Sequence, residues 1–136
     1  MDGDFRMKNL IIALIVMVFT NGQVLKGKAS WYDETDRKAP MASGYMFDAR
    51  RLECAHKSLP FGTNVKIHRQ KTNLEVNCVI SDRGPYIEGR IIDLAPAAAR
   101  KLDMIRAGVV PVEVTIIQLG ACRKYGCKFK RGEIAK

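Results

Sequence analysis

The sequence has no apolar run long enough to cross a bilayer comfortably. Its longest run, Leu10–Thr20, has 11 residues, whereas a membrane-spanning helix needs about 20. Arg6 and Lys8 precede this run and a polar stretch follows it, which is the pattern of a secretory signal peptide. We expect residues 1–22 to be a signal that is cleaved after Gly22, with an uncleaved membrane anchor as the alternative. Because no Cys lies near the cleavage point, we expect an exported chain, periplasmic or extracellular, that is not lipid-anchored.

Acidic residues are scarce beside basic ones, since 14 Asp and Glu face 23 Lys and Arg, which gives a net charge of +9. Such a surface favours anionic partners, among them nucleic acid, anionic lipid and acidic wall polymers. A secretory signal argues against nucleic acid, and no helix with clustered Arg or Lys resembles a DNA-reading element. We therefore expect a cell-wall glycan as the partner, no nucleic acid, and a monomeric protein.

Metal-ligand patterns are also lacking, because the chain has only two His and no CxxC pair. We expect no metal site and no cofactor. The four Cys are an even number in a chain expected to be exported, which favours disulfides. Of the three possible pairings, one would join Cys122 to Cys127 in the tail and leave Cys54 and Cys78 to tie two strands. A free, buried Cys54 or Cys78 is the alternative.

Short strand-like segments separated by turn residues make up most of the chain after the signal. Residues 96–102 form the exception and predict a helix, because Pro96 suits a first helical turn and three Ala follow it. Many short strands with one helix, in 136 residues, predict a single small β-barrel. We expect the basic tail, 120–136, to be at best partly ordered. The predicted strands lie at 29–32, 52–55, 64–68, 74–81, 90–94 and 110–118.

Four motifs follow one another along the chain. They are GKASWY at 27–32, ASGYMFD at 42–48, AHKSLPFGT at 55–63, and SDRGPY with GRIIDL and AAA within 81–99. In order and spacing they resemble the motifs of the rare-lipoprotein-A (RlpA) family, over residues 27–119. The resemblance implies an all-β fold, a six-stranded double-psi β-barrel with one short helix, whose groove binds peptidoglycan. It also implies an endolytic lytic transglycosylase, a lyase that cleaves MurNAc–GlcNAc bonds and leaves a 1,6-anhydro product.

The same resemblance implies the catalytic residues. Asp82 matches the Asp of the family's NDRGP motif, and it ends an apolar strand just before a Gly-Pro turn. A carboxyl there can lie at a groove edge and protonate the leaving oxygen. His56 matches the family's His and is expected to bind a sugar hydroxyl or N-acetyl group, or to orient the acid. The alternative for Asp82 is a structural hydrogen bond to the turn amides of Arg83 and Gly84.

One position departs from the family. Tyr45 stands where the family has Glu, and Tyr cannot act as a carboxylic acid near neutral pH. Either Asp82 alone suffices for catalysis, with Asp48 as a further candidate carboxylate, or the protein binds glycan without cutting it, as expansins do. Trp31 and Tyr32 are expected to stack on sugar rings, with core packing as the alternative. Asp93 is expected to face the groove, with helix capping as the alternative. The residues expected to bind substrate are Trp31, Tyr32, Tyr45, Arg83, Tyr86, Arg90 and Asp93.

Overall fold

The described residues form six strands and one short helix, as the sequence predicts. The computed structural model describes residues 22–33, 39–127 and 129–131, so the predicted signal lies, apart from Gly22, outside the described residues. No helix in these ranges is long and apolar enough to span a membrane. The elements are β1 (Val24–Trp31), β2 (Glu53–Ala55), β3 (Asn64–Arg69), β4 (Leu74–Asp82), β5 (Arg90–Leu94), α1 (Pro96–Lys101) and β6 (Val110–Gln118).

The strands close into a barrel in the order β1-β5-β2-β4-β3-β6. Two neighbouring pairs, β1 with β5 and β2 with β4, run parallel. The other four pairs are antiparallel. Closure pairs both edges of every strand, so the barrel needs no separate device to protect an exposed edge.

Alternating side chains fill the barrel. In β3, Val65 and Ile67 are fully buried between half-exposed neighbours, and in β6, Val114 and Ile116 are fully buried in the same way. This period-2 pattern is that of a sheet with one apolar face. The core therefore lies inside the barrel, and loops at its ends are left to carry functional side chains.

The first strand is longer than predicted. It begins at Val24 rather than Ala29, because residues 24–29 pair antiparallel with β6. Lys26 and Lys28 are exposed on its outer face, so the basic segment ahead of the predicted strand is itself an amphipathic strand.

The helix occupies the predicted place, but Asp93 does not cap it. Its N-cap residue is Ala95, and no side chain makes a capping hydrogen bond. Asp93 Oδ1 instead accepts a hydrogen bond from the Ser30 hydroxyl at 3.1 Å, across the β1–β5 pair. The capping alternative is therefore wrong.

Both expected disulfides are present. Cys54 and Cys78 join β2 to β4 inside the core, and Cys122 and Cys127 close a short loop in the tail. The prediction of at least one disulfide is confirmed, and the free-thiol alternative is wrong.

The described part of the tail is better ordered than we expected. Residues 120–127 and 129–131, which we call the strap, pack across one end of the barrel. The Phe61 amide donates to the Cys122 carbonyl at 2.6 Å, and the Gly126 amide donates to the Ala42 carbonyl at 2.8 Å. Gly120 lies so close to the backbone of residues 61–63 that a Cβ there would come within 2.2 Å of the Phe61 oxygen. Backbone contacts thus hold the strap at Gly120, Cys122 and Gly126.

We predict that the two disulfides differ in their effect on stability. The Cys54–Cys78 bond spans 24 residues and the Cys122–Cys127 bond spans 5. On loop-closure entropy, their removal costs about 3.5 kcal/mol and about 2 kcal/mol respectively. Because Cys54 and Cys78 are also core residues, Cys54→Ala/Cys78→Ala should lower the urea midpoint further than Cys122→Ala/Cys127→Ala. Equal midpoints for the two double variants would contradict this.

Candidate functional site

Parallel pairing of β2 and β4 brings two of the predicted site residues together. Ala55 is paired with Asp82 across these strands, and the His56 amide donates to the Asp82 carbonyl at 3.2 Å. The carboxyl ends of parallel strands lie at the same edge of a sheet, so the segments that follow β2 and β4 leave the barrel side by side. Antiparallel β5 places Asp93 on the other side of Ala55.

Asp82 is held in place by backbone amides. Its Oδ1 accepts hydrogen bonds from the Ala42 and Arg83 amides, each at 2.9 Å, and the residue is only 6% exposed. The bond to Ala42 joins the end of β4 to the loop 41–45, which is also tied by the Ser43 amide to the Ser81 carbonyl at 3.2 Å. The structural alternative for Asp82 is therefore borne out for the Arg83 amide, while the second donor is the Ala42 amide rather than that of Gly84.

The imidazole of His56 is oriented just as firmly. Its Nδ1 accepts hydrogen bonds from the amides of Ser58 at 3.1 Å and Leu59 at 3.0 Å. The proton of the neutral ring is therefore on Nε2. Burial lowers the pKa of His56 to about 4, and the charges of Arg83 and Lys57 add to the effect. At neutral pH His56 is thus an uncharged hydrogen-bond donor rather than an acid or a base.

Arg83 braces the same turn. Its Nη1 donates to the Leu59 carbonyl at 2.7 Å and the His56 carbonyl at 3.2 Å, and its guanidinium lies 4.0 Å above the ring centre of Phe61. Burial lowers the pKa of Arg83, opposed by Tyr86 and Asp82 and aided by Arg123, but a guanidinium remains charged at any physiological pH. Arg83 is therefore a fixed positive charge beside Asp82 and His56.

The remaining predicted residues divide between the site and the core. Tyr86 is 75% exposed and follows the Asp82–Arg83 turn. Trp31 is half-buried against the core, and Tyr32 is buried with its ring edge-on to Phe47 at 5.6 Å, so Tyr32 packs within the fold. Arg90 begins β5, at the opposite end of that strand from Asp93, and does not join the cluster.

Tyr45, the position that departs from the family, is covered by the strap. Its hydroxyl donates to the Phe129 carbonyl, its ring meets that of Phe129 edge-on at 5.3 Å, and the guanidinium of Arg131 lies 4.7 Å from its ring centre. Arg131 also holds the buried carboxylate of Glu53 through three contacts of 2.7–3.2 Å. Sequence reasoning missed Glu53, Phe129 and Arg131; the one available signal was a charged residue in a short buried strand, which needs a partner.

Asp48 is poorly suited to replace the missing carboxylate. The side chain of Arg50 donates to it at 3.0 Å and 2.9 Å. These hydrogen bonds to Arg50 lower the pKa of Asp48, and Arg51 contributes as well. The Asp48 carboxylate is thus already engaged by a charged side chain of its own loop.

The chain is similar in sequence to a known family and to individual members of it. A family model described as lytic transglycolase matches residues 24–114. The probable endolytic peptidoglycan transglycosylase RlpA of Aquifex aeolicus is 42% identical over 96 residues, which are 71% of this chain and 42% of that protein. The endolytic peptidoglycan transglycosylase RlpA of Campylobacter jejuni is 36% identical over 100 residues, which are 74% of this chain and 36% of that protein. This chain therefore matches less than half the length of either relative.

Solved structures confirm the fold. A Streptomyces papain inhibitor superposes with a TM-score of 0.62 at 24% identity, covering 74% of this chain and 99% of the inhibitor. An expansin of Clavibacter michiganensis superposes with a TM-score of 0.55 at 22% identity, covering 73% of this chain and 52% of the expansin. These likenesses, together with the strand order, identify the predicted double-psi β-barrel.

The lowered pKa of His56 predicts a loss of stability in acid. Because the folded pKa is about 4 and the unfolded value is about 6.5, the unfolded chain takes up the proton first as the pH falls. Stability linked to His56 is complete above pH 6.5 and is lost towards pH 4, by up to about 3 kcal/mol. Protonation of Nδ1 would also place its N–H against the amide N–H groups of Ser58 and Leu59, which now donate to it. Urea titrations between pH 4 and 7.5 measure this loss.

The matched variant is His56→Asn, whose side-chain oxygen can replace Nδ1 as the acceptor but does not titrate. Its unfolding free energy should fall less steeply with acid than that of the unaltered protein. Parallel curves for the two proteins would show that His56 does not cause the pH dependence.

Proposed function

This chain belongs to the RlpA-like lytic transglycolase family, and we propose that its barrel cleaves MurNAc–GlcNAc bonds within peptidoglycan glycan strands. The observation that carries the proposal is a carboxylate, Asp82, fixed by two amides beside the neutral donor His56 and the charge of Arg83. Family membership and the relatives named as endolytic peptidoglycan transglycosylases support the substrate class.

The reaction that we propose consumes no water. Asp82, in its protonated form, gives its proton to the glycosidic oxygen as the bond to the anomeric carbon C1 of MurNAc breaks. The resulting carboxylate then takes the proton of the C6 hydroxyl of the same sugar as O6 forms a bond to C1. The products are a strand with a 1,6-anhydro end and a strand with a free GlcNAc hydroxyl, and Asp82 regains its starting proton. One carboxyl thus serves both steps.

The other residues bind and orient the glycan in this proposal. The Nε2–H of His56 donates to a sugar hydroxyl or N-acetyl oxygen, and the exposed ring of Tyr86 stacks on a sugar face. Arg83 sets a positive charge where the muramoyl lactyl carboxylate passes. Such a substrate lies outside the cytoplasm, which agrees with the signal predicted at residues 1–22; a monomer without a lipid anchor remains our expectation.

A second candidate function is binding without cleavage, as in expansins. Two observations favour it: Tyr45 occupies the position of the family's Glu and is engaged by Phe129, and Asp82 Oδ1 is a loop anchor. Under this hypothesis Asp82 is retained for structure, and the glycan binds beside it unchanged.

Asp82→Asn separates the two functions. An Asn side chain keeps an oxygen that can accept from the Ala42 and Arg83 amides, but it cannot transfer a proton. We predict that 1,6-anhydro ends, measured by mass spectrometry after incubation with denuded glycan strands, fall by about 10²-fold or more. Thermal stability should change little. Asp48→Asn, which alters a carboxylate already paired with Arg50, should leave the yield unchanged. If the unaltered protein binds the strands but yields no anhydro ends, the binding function is correct.

Tyr45→Glu tests whether the missing carboxylate limits the rate. It would place a second carboxylate beside Arg131, which already holds Glu53, and two carboxylates that share one cation favour a raised pKa for one of them. We predict an increase in anhydro ends of about tenfold or more. Tyr45→Phe, which removes only the hydroxyl, is the control and should produce no increase. A yield that stays constant in both variants would show that Asp82 works alone.

A further inference from the structure

The loop closed by the Cys122–Cys127 disulfide lies outside residues 24–114, which match the family model. Its side chains point away from the fold: Arg123 and Lys124 are exposed, and Tyr125 is 79% exposed. The ring of Tyr125 is therefore accessible to a ligand, and the disulfide restricts the loop that carries it.

Both ends of this loop are bonded to residues that contact the site. At its start, Cys122 accepts from the Phe61 amide at 2.6 Å, and the Phe61 ring lies beneath the guanidinium of Arg83. At its end, the Gly126 amide donates to the carbonyl of Ala42, whose own amide donates to Asp82 Oδ1. One residue, Ala42, therefore separates the loop from the carboxylate.

The close fit at the second end restricts the loop further. A Cβ on Gly44 would come within 3.2 Å of the Gly126 Cα, so the backbones of the two segments are in contact. Gly44 and Gly126 also have positive φ values of 90° and 73°, which glycine adopts without strain. The loop is thus held against the segment 41–45 rather than projecting freely into solvent.

The charges at this edge favour an anionic ligand. Tyr86 and Asp82 act on Arg83 electrostatically and raise its pKa, whereas Arg123 acts on it with the opposite sign. Among the described residues, no carboxylate is found in an ion pair with either Arg83 or Arg123. Two guanidiniums near one another repel, and a carboxylate between them relieves the repulsion while accepting hydrogen bonds from both.

We propose that the Cys122–Cys127 loop is a further subsite for a carboxylate-bearing amino sugar, with Tyr125 stacked on the sugar ring and Arg123 acting with Arg83 on the carboxylate. The proposal rests on the proposed function, since it assumes that a glycan strand passes Asp82. A pyranose ring presents an apolar face to an aromatic ring, and the lactyl group of peptide-free muramic acid supplies the carboxylate. Uncharged chitin oligosaccharides present the same faces without that charge.

Binding to two matched tetrasaccharides tests the subsite. The probes are (GlcNAc–MurNAc)₂ without peptide, and chitotetraose, measured by calorimetry in the Asp82→Asn background so that cleavage cannot interfere. We expect the charged probe to bind more tightly. Arg123→Gln should weaken binding of that probe alone by about tenfold or more, as for a lost charge-assisted hydrogen bond. Tyr125→Ala should weaken both probes by up to about tenfold.

Controls separate the subsite from general charge and from stability. Arg106→Gln, at an exposed Arg outside the strap, alters net charge equally and should leave both affinities unchanged. Cys122→Ser/Cys127→Ser should weaken both probes, because the loop is then no longer pre-organised. Since Arg123 and Tyr125 are exposed, their variants should melt with the parent.

The outcomes distinguish this proposal from the proposed function. If Arg123→Gln and Tyr125→Ala bind both probes as the parent does, or if the charged probe has no advantage, the subsite is wrong, whether or not Asp82-dependent cleavage occurs. If binding depends on Arg123 and Tyr125 while the unaltered protein forms no anhydro ends, the subsite stands and the cleavage reaction is wrong.

Discussion

The candidate site depends on the carboxylate of Asp82 and the two amides that hold it. Parallel pairing of β2 and β4 places this residue beside His56, and the bond from the Ala42 amide draws the loop 41–45 over the end of β4. That loop in turn receives the strap through Ala42 and Tyr45. The Asp82 carboxylate therefore bonds a loop 40 residues before it in the chain. That loop in turn holds the strap, which begins at residue 120. Loss of the acceptor would leave two amides without their partner.

A second buried carboxylate, Glu53, explains why the strap stays in place. An ionised carboxylate in the wall of a barrel is costly unless it is paired and hydrogen-bonded. Arg131 supplies both oxygens with N–H donors and also donates to the Met46 carbonyl at 2.7 Å. Removing either Glu53 or Arg131 would leave the other charge without its partner. The same guanidinium lies over the ring of Tyr45. The ion pair that neutralises Glu53 therefore also holds the end of the strap against Tyr45.

The sequence predicted those parts of the molecule that depend on local pattern. Alternating Val and Ile marked β3 and β6, Pro96 with three Ala marked α1, and a known motif order marked Asp82 and His56. Pairing over long sequence distances was not predictable in this way: β1 begins at Val24 because of β6, some 90 residues later. The strap was missed for the same reason, since its basic composition resembles that of a solvated tail and the groups that bind it, among them Glu53 and Tyr45, lie far from it in sequence.

The strap also gives Tyr45 a physical reason to differ from the family's Glu. A carboxylate at this position would lie next to Glu53, with Arg131 as the shared cation, and two like charges in a partly buried site repel. A tyrosine avoids that repulsion, offers its ring to Phe129 and Arg131, and donates its hydroxyl to the Phe129 carbonyl. The departure from the family pattern is therefore coupled to the docking of the strap. In the function that we propose, the chemistry then falls to Asp82, and the strap is bonded to the loop 41–45 that holds it.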